Sequence, residues 1–313
     1  MYSLIVPVYR NEESIPELLD ELKALNASLN YGLEVVFVVD GSPDRSYAIL
    51  RRELPATGFR SRLLLLSRNF GSFAAIRAGL AAANGPFFAV MAADLQEPPD
   101  LARDFFHTLE SESVDVVIGT RTGRDDPITS RLGAAIFWGL YRRLVLPELP
   151  LGGVDVFGCN TAFRDHLIAL EELNTSLVGL LFWIGFRRKS IPYARRPRRH
   201  SKSAWTFRRK LKYLSDSVFA FTDLPIRILF LVGFAGLFVS IVLGAVIVLS
   251  RLTDRIPVPG YSATVLTIIF FGALNTFGLG IIGAYTWRAF ENTKRRPGYI
   301  VLSSETVNPR EGK

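Results

Sequence analysis

MYSLIVPVYRNEESIPELLDELKALNASLNYGLEVVFVVDGSPD, residues 1–44, decides the fold. Ser3 to Val8 and Leu33 to Val39 are short, nearly unbroken apolar runs, the pattern of strands buried on both faces. Between them, Glu13 to Leu29 sets Ile15, Leu18, Leu19, Leu22 and Leu25 at helical spacing. The alternation repeats, with strands expected at Arg62–Ser67, Pro86–Ala92 and Val114–Gly119 and helices at Asp44–Glu53, Ser72–Asn84 and Leu101–Glu112. Strand and helix in alternation predict an α/β domain with a mostly parallel sheet and helices on both faces. Ligands of such sheets bind beyond the carboxyl ends of the strands, so chemistry is sought in the residues that follow each strand.

Those residues are polar. The first strand is followed by Tyr9, Arg10, Asn11 and Glu12, the second by Asp40-Gly41-Ser42-Pro43-Asp44, and the third by Arg68-Asn69. Asp94-Leu95-Gln96-Glu97-Pro98-Pro99 follows the fourth and Arg121 the fifth. Taken singly, each reads equally well as a turn or a helix cap. Five polar strand ends on one edge of one sheet are harder to explain by capping, and they point to a ligand site.

Composition sets the bounds. The 313 residues are 49% hydrophobic and 21% charged, which excludes a disordered chain. Cys159 is the only cysteine, so neither an intramolecular disulfide nor a cysteine-rich zinc cluster is available. His107, His166 and His200 show no metal-ligand spacing. The net charge of +8 suits nucleic acid, an anionic membrane or a phosphate-rich substrate. Its location narrows the choice: Arg187 to Lys212 hold twelve Lys and Arg and no acid, whereas the rest of the chain sets 25 basic against 29 acidic residues. Trp205, Phe207 and Tyr213 interleave with these cations just before a long apolar stretch. Anionic membrane lipids, not nucleic acid, are the expected partner of such a segment.

Two apolar stretches follow, IRILFLVGFAGLFVSIVLGAVIVLS at 226–250 and ATVLTIIFFGALNTFGLGIIGAYTW at 263–287. Each is long enough to cross a hydrocarbon core of about 30 Å, and two transmembrane helices are expected. The excess of Lys and Arg before the first and after the second places both termini in the cytoplasm. The expected organisation is a cytoplasmic catalytic domain over 1–225 with a juxtamembrane basic segment at 187–221. The spans follow, joined by an extracytoplasmic connector at 251–262, with a cytoplasmic tail at 288–313, all at the inner (cell) membrane. The start, MYSLIVPVYRNEE, lacks a basic n-region and is not expected to be a signal peptide. Arg131 to Leu146 reads either as a core helix or as a second interfacial amphipathic helix, with Trp138, Tyr141, Arg142 and Arg143 beside its apolar positions. Gly278-Leu279-Gly280-Ile281-Ile282-Gly283 matches a dinucleotide-binding pattern but follows no strand, so close helix packing explains it better. Such small-residue faces also lead to the expectation of a homo-oligomer.

PVYRNEES (7–14), VDGSPD (39–44), LSRNFGS (66–72) and AADLQEPPD (92–100), in that order and spacing, resemble the inverting nucleotide-sugar glycosyltransferases of family 2, which have the GT-A fold. With the two apolar stretches added, residues 2–302 resemble the polyprenyl-phosphate glycosyltransferases, which include dolichol-phosphate mannose synthases and the bacterial enzymes making undecaprenyl-phosphate sugars. The resemblance implies Mg²⁺ or Mn²⁺ on Asp94 and Gln96. Asp94 stands at the second Asp of the family's Asp-x-Asp element, and Ala92 replaces the first. It implies a nucleotide-sugar donor held by Pro7, Tyr9, Asn11, Glu12, Asp40, Ser42, Arg68, Asp94, Gln96 and Arg121. Val39 stands where the family has a further Asp, and the choice between UDP and GDP stays open. GGVDVFGCNTAFRD (152–165) resembles the stretch that supplies the catalytic carboxylate, here Asp155, beside Asp94. Arg199 and Lys202 fall where the family contacts acceptor phosphate. The implied reaction is inverting transfer of a sugar to a polyprenyl phosphate. A processive polysaccharide synthase, or a non-catalytic membrane scaffold on a decayed transferase fold, are the rival readings.

Overall fold

The computed structural model describes residues 1–122, 139, 141–143, 145–150, 154, 156–172, 175–197, 207–252 and 260–308. Strands β1 (Tyr2–Val8), β2 (Leu33–Val39), β3 (Arg60–Leu66), β4 (Phe87–Val90) and β5 (Val116–Arg121) alternate with helices α1 (Ile15–Ser28), α2 (Ser46–Glu53), α3 (Ser72–Ala82) and α4 (Pro99–Ser111). After them come β6 (Phe157–Asn160), α5 (Thr161–Ala169), α6 (Leu177–Trp183), β7 (Arg188–Tyr193), α7 (Phe207–Phe221), α8 (Leu224–Leu252), α9 (Tyr261–Thr293) and β8 (Val301–Val307).

All eight strands form one sheet in the order β7-β5-β6-β4-β1-β2-β3-β8. The alternation of side chains along β2 shows why its sequence is apolar throughout. Val35, Phe37 and Val39 enter a core under α1, α2 and α4, whereas Val36 and Val38 enter a second core under α3, α5 and α6. A strand in the middle of such a sandwich has no solvent face, so a polar residue at any of these positions would be buried without a partner.

The expectation of a mostly parallel sheet is corrected to a mixed one. β1 runs parallel to β2 and β4, β2 to β3, and β5 to β7. β6, however, inserts antiparallel between β4 and β5, and β8 adds antiparallel to β3. Both strands lie outside the βα repeat from which a parallel sheet was read. The segment read as a tail, 288–313, supplies β8 and is therefore part of the domain.

The expectation of two transmembrane helices is also corrected. Among the described residues no single helix is long and apolar enough to cross a membrane. One pair, Tyr213–Phe221 with Leu224–Gly236, reaches the required length and composition together, and it is bent by 77°. Counting apolar residues takes 226–250 by itself, apart from the helix before it. The chain turns at Thr222–Asp223, ahead of that stretch, where the Thr222 hydroxyl accepts from the Leu224 amide at 3.3 Å and Pro225 follows in the first turn of α8. The two-span inner-membrane placement, and the cytoplasmic assignment of the catalytic domain and both termini derived from it, go with that count. Side contacts fasten this region to the domain. Asp216 of α7 pairs with Arg288 of α9 at 2.7 Å, Tyr213 bonds Ser176 at 2.6 Å, and Tyr141 bonds Ser217 at 3.2 Å.

At the amino ends of β5 and β7 and the carboxyl end of the antiparallel β6, opposite the polar edge, Asp115 joins three strands. Its carboxylate accepts from Arg187 Nε at 2.9 Å and Nη2 at 3.0 Å, and from Asn160 Nδ2 at 2.9 Å. The Arg187 hydrogen bonds outweigh burial and hold its carboxyl below the ordinary value of 3.8. Replacing Asp115 by Ala should cost about 2 kcal/mol at neutral pH. Because the folded value is the lower one, this contribution is complete above 3.8 and is lost as the pH falls through the folded value. Thermal unfolding of wild type and variant should therefore differ at pH 7 and converge in acid.

Candidate active site

The carboxyl ends of β1, β2, β3 and β4 are tied into one rim. After β1 the chain turns through Arg10, a left-handed residue at φ +57 whose amide donates to Ser42 Oγ at 2.8 Å. Tyr9 N donates to Asn11 Oδ1 at 3.0 Å, and Glu12 N donates to Asp44 Oδ2 at 3.1 Å. Glu12 in turn accepts from Arg45 N at 3.0 Å. The loops after β1 and β2 are thus held by reciprocal bonds that leave the ring of Tyr9 exposed at the mouth.

Asp44 organises this exchange. Burial alone would raise its carboxyl, but the hydroxyls of Ser42 (2.6 Å) and Ser46 (2.9 Å) and the amides of Glu12 and Ser46 more than offset that, leaving it below 3.8. Asp40, only 3% exposed, is the converse case. Burial raises its carboxyl, and the amides of Phe70 (2.7 Å) and Gly71 (2.8 Å) offset this only in part. Asp40 therefore reaches across to the loop after β3 and holds its backbone. Gly41 explains how that loop comes so close. It sits at φ +56, and a Cβ there would lie 2.3 Å from the carbonyl carbon of Arg68.

Asp94 lies half-buried at the exit of β4, where Leu95 takes a left-handed φ of +54 and Gln96 N donates to Asp94 Oδ1 at 3.3 Å. Left-handed non-glycine residues are uncommon, and here two of them, Arg10 and Leu95, shape the turns of the same rim. Ser14 Oγ donates to Ala93 O at 2.9 Å and so links this turn to the start of α1. From the other side, Arg195 donates to Gln96 Oε1 at 2.5 Å and Arg196 N to Gln96 O at 2.8 Å.

Tyr9, Asn11, Glu12, Asp40, Ser42, Arg68, Asp94 and Gln96 thus share one rim, with Pro7 beneath it in β1. Arg121 ends β5, beyond β6 in the sheet. Asp155, Arg199 and Lys202 lie outside the described residues, as does most of the helix expected over 131–146. Asp44, Ser14 and Arg195 were not picked out as site residues. Asp44 and Ser14 carry an ordinary capping signal, and Arg195 is one cation among twelve, so nothing marked the loops they hold.

The donor set suits a hard divalent cation. Among the described residues no three His, Cys, Asp or Glu converge on a metal site. One carboxylate and one amide oxygen, Asp94 and Gln96, are what Mg²⁺ or Mn²⁺ needs from a protein when substrate phosphates and water complete its shell.

Comparison with known proteins places this geometry. Residues 3–169 match the family described as glycosyl transferase family 2. The uncharacterised glycosyltransferase YkcC of Bacillus subtilis (strain 168) is 32% identical over 97% of this chain and 94% of its own. A bactoprenol glucosyl transferase of Shigella phage SfII is 27% identical over 98% of this chain and 99% of its own. Among solved structures, glucosyl-3-phosphoglycerate synthase from Mycobacterium tuberculosis, in complex with Mn²⁺, UDP-glucose and phosphoglyceric acid, superposes with a TM-score of 0.50. It is 19% identical, over 70% of this chain and 77% of that one, a likeness of fold. The match over residues 3–169 takes in β1 to α5 and every described residue of the rim except Arg195 and Arg196, and by it the chain belongs to glycosyl transferase family 2.

Proposed function

We propose that this glycosyltransferase moves a sugar from a UDP- or GDP-sugar to a polyprenyl phosphate, with inversion at the sugar's anomeric carbon. The observation that carries the donor half is the rim itself, in which the Asp40 and Asp94 turns are held together by Ser42, Asp44 and Ser14. The acceptor half is supported by end-to-end similarity to a relative named for bactoprenol.

In this reading Tyr9, Glu12 and Asp40 receive the nucleoside, and the exposed Arg10 and Arg68 supply positive charge for the diphosphate. Asp94 and Gln96 would hold the divalent cation, whose chemistry is to neutralise the departing diphosphate. An oxygen of the lipid phosphate forms the new bond to C1 as the bond from C1 to the nucleoside diphosphate breaks. A phosphate monoester has its second pKa at about 6, so this nucleophile is largely ionised at pH 7 and asks little of a base. Asp155 is accordingly assigned to orient the acceptor, and Arg199 and Lys202 to bind its phosphate. Much of the rate then comes from alignment of the two substrates.

The test incubates the protein with radiolabelled UDP- and GDP-sugars and short polyprenyl phosphates, with and without EDTA. A single-sugar lipid product that disappears with EDTA is expected. A long polymer would favour the synthase reading, product that persists in EDTA would remove the cation from the scheme, and no product from any donor would leave the scaffold.

A further inference from the structure

The segment that returns from the far end of the chain touches the loop after β3 and the helix that follows the loop after β2. Ile300, directly before β8, accepts from Ser67 N at 2.9 Å, and Ser67 opens the loop that runs through Arg68 to Gly71. That same loop is gripped from within by Asp40, whose carboxylate takes the amides of Phe70 and Gly71. Its backbone also packs on Gly41 so closely that no side chain fits between. It is therefore held between the Asp40-Gly41 turn and the C-terminal strand.

The second contact reaches the helix that follows the other loop. Glu305 accepts from Tyr47 Oη at 2.8 Å and from Arg51 Nε at 3.1 Å, both on α2. α2 begins at Ser46, directly after Asp40 to Arg45, and Ser46 itself bonds Asp44. Register pairs Glu305 with Leu63, in the middle of β3, so its carboxylate is not needed to complete the ladder. A strand that only covered an exposed sheet edge would need backbone pairing and no side-chain bond to a neighbouring helix. Glu305 is instead directed at the helix that carries the Asp40 loop.

We propose that residues 300–307 are a positioning element of the donor site. Ile300 and Glu305 set the spacing between the 40–45 and 67–71 loops, and so the affinity for the nucleotide, without touching it. The inference rests on the reading that those loops bind the donor nucleotide. Ordering a loop in advance removes an entropy cost from binding, so loosening this clamp should appear in donor affinity before it appears in the chemical step.

The experiment measures UDP and GDP binding and donor kinetics for the full chain, for Glu305→Ala, and for a chain ending at residue 298. A peptide of residues 299–307 is also added back to the shortened chain. Glu305→Ala should raise the donor KM about threefold and the shortened chain at least about tenfold, with kcat at saturating donor nearly unchanged. Added peptide should restore much of the lost affinity. A merely structural role would lower the amount of active protein, and with it apparent kcat, at constant KM. If the shortened chain does not fold, Glu305→Ala alone decides, since it retains the whole strand. Wild-type donor KM in Glu305→Ala and in a folded shortened chain would overturn the proposal. Failure of the intact chain to bind either nucleotide would instead remove the donor reading beneath it.

Discussion

Asp94→Asn should lower turnover by about a hundredfold or more while leaving the protein folded. The substitution is nearly isosteric. Gln96 N donates to Asp94 Oδ1 at 3.3 Å, and an asparagine oxygen can accept the same bond, so the left-handed turn at Leu95 keeps its support. What disappears is one negative charge at the exit of β4. A hard cation is bound weakly by two neutral amide oxygens, and the diphosphate would then depart without the charge that stabilises it. Thermal unfolding should shift little, because the site is half-buried and no packing is lost. Turnover near the wild-type value would remove Asp94 from the proposed mechanism.

Gly41→Ala should have the largest effect on the fold of the donor site. At φ +56 a side chain is strained in itself, by about 1 kcal/mol. The new methyl would also lie 2.3 Å from Arg68 C, 2.5 Å from Asn69 N and 2.7 Å from Arg68 Cα. These are backbone atoms that no rotamer change can move. The 67–71 loop must shift outward, which pulls Phe70 N and Gly71 N away from Asp40 and leaves a buried carboxylate with fewer partners. Together these terms come to about 3 kcal/mol or more. A lowered melting temperature accompanied by loss of donor nucleotide binding is expected. Normal stability and affinity would show that the loop can yield at little cost.

The legible part of the molecule is the part with no solvent face. Val35 to Val39 could only be an interior strand, and β1 to β5 with α1 to α4 emerge within a few residues of where periodicity puts them. β6 has four residues, including a glycine and a cysteine, too short a run to stand out. β8 reads VLSSETV with only alternate residues half-buried, so as sequence it resembles a polar tail. The loops after β1, β2 and β4 were legible as one polar rim because parallel strands place them on one edge. The grip of Arg195 on Gln96 was not, since it joins residues 99 positions apart. The bend between α7 and α8 was not legible, because a count of hydrophobic residues over 226–250 does not see the turn at Thr222–Asp223 before it.

Cys159 sits in β6, fully buried between Phe88 of β4 and Val116 of β5, and burial raises its thiol far above the ordinary value. The thiolate is the reactive form, so in the native state this group is shielded from alkylating and disulfide reagents twice over, by access and by ionisation. Being the only thiol in the chain, it makes the wild-type protein its own reporter of opening. Its labelling rate gives the frequency with which the centre of the sheet is exposed, with no probe introduced. Under opening-limited conditions, a variant that loses activity while Cys159 keeps its slow labelling has been altered at the site, and one whose labelling accelerates has been altered in the sheet.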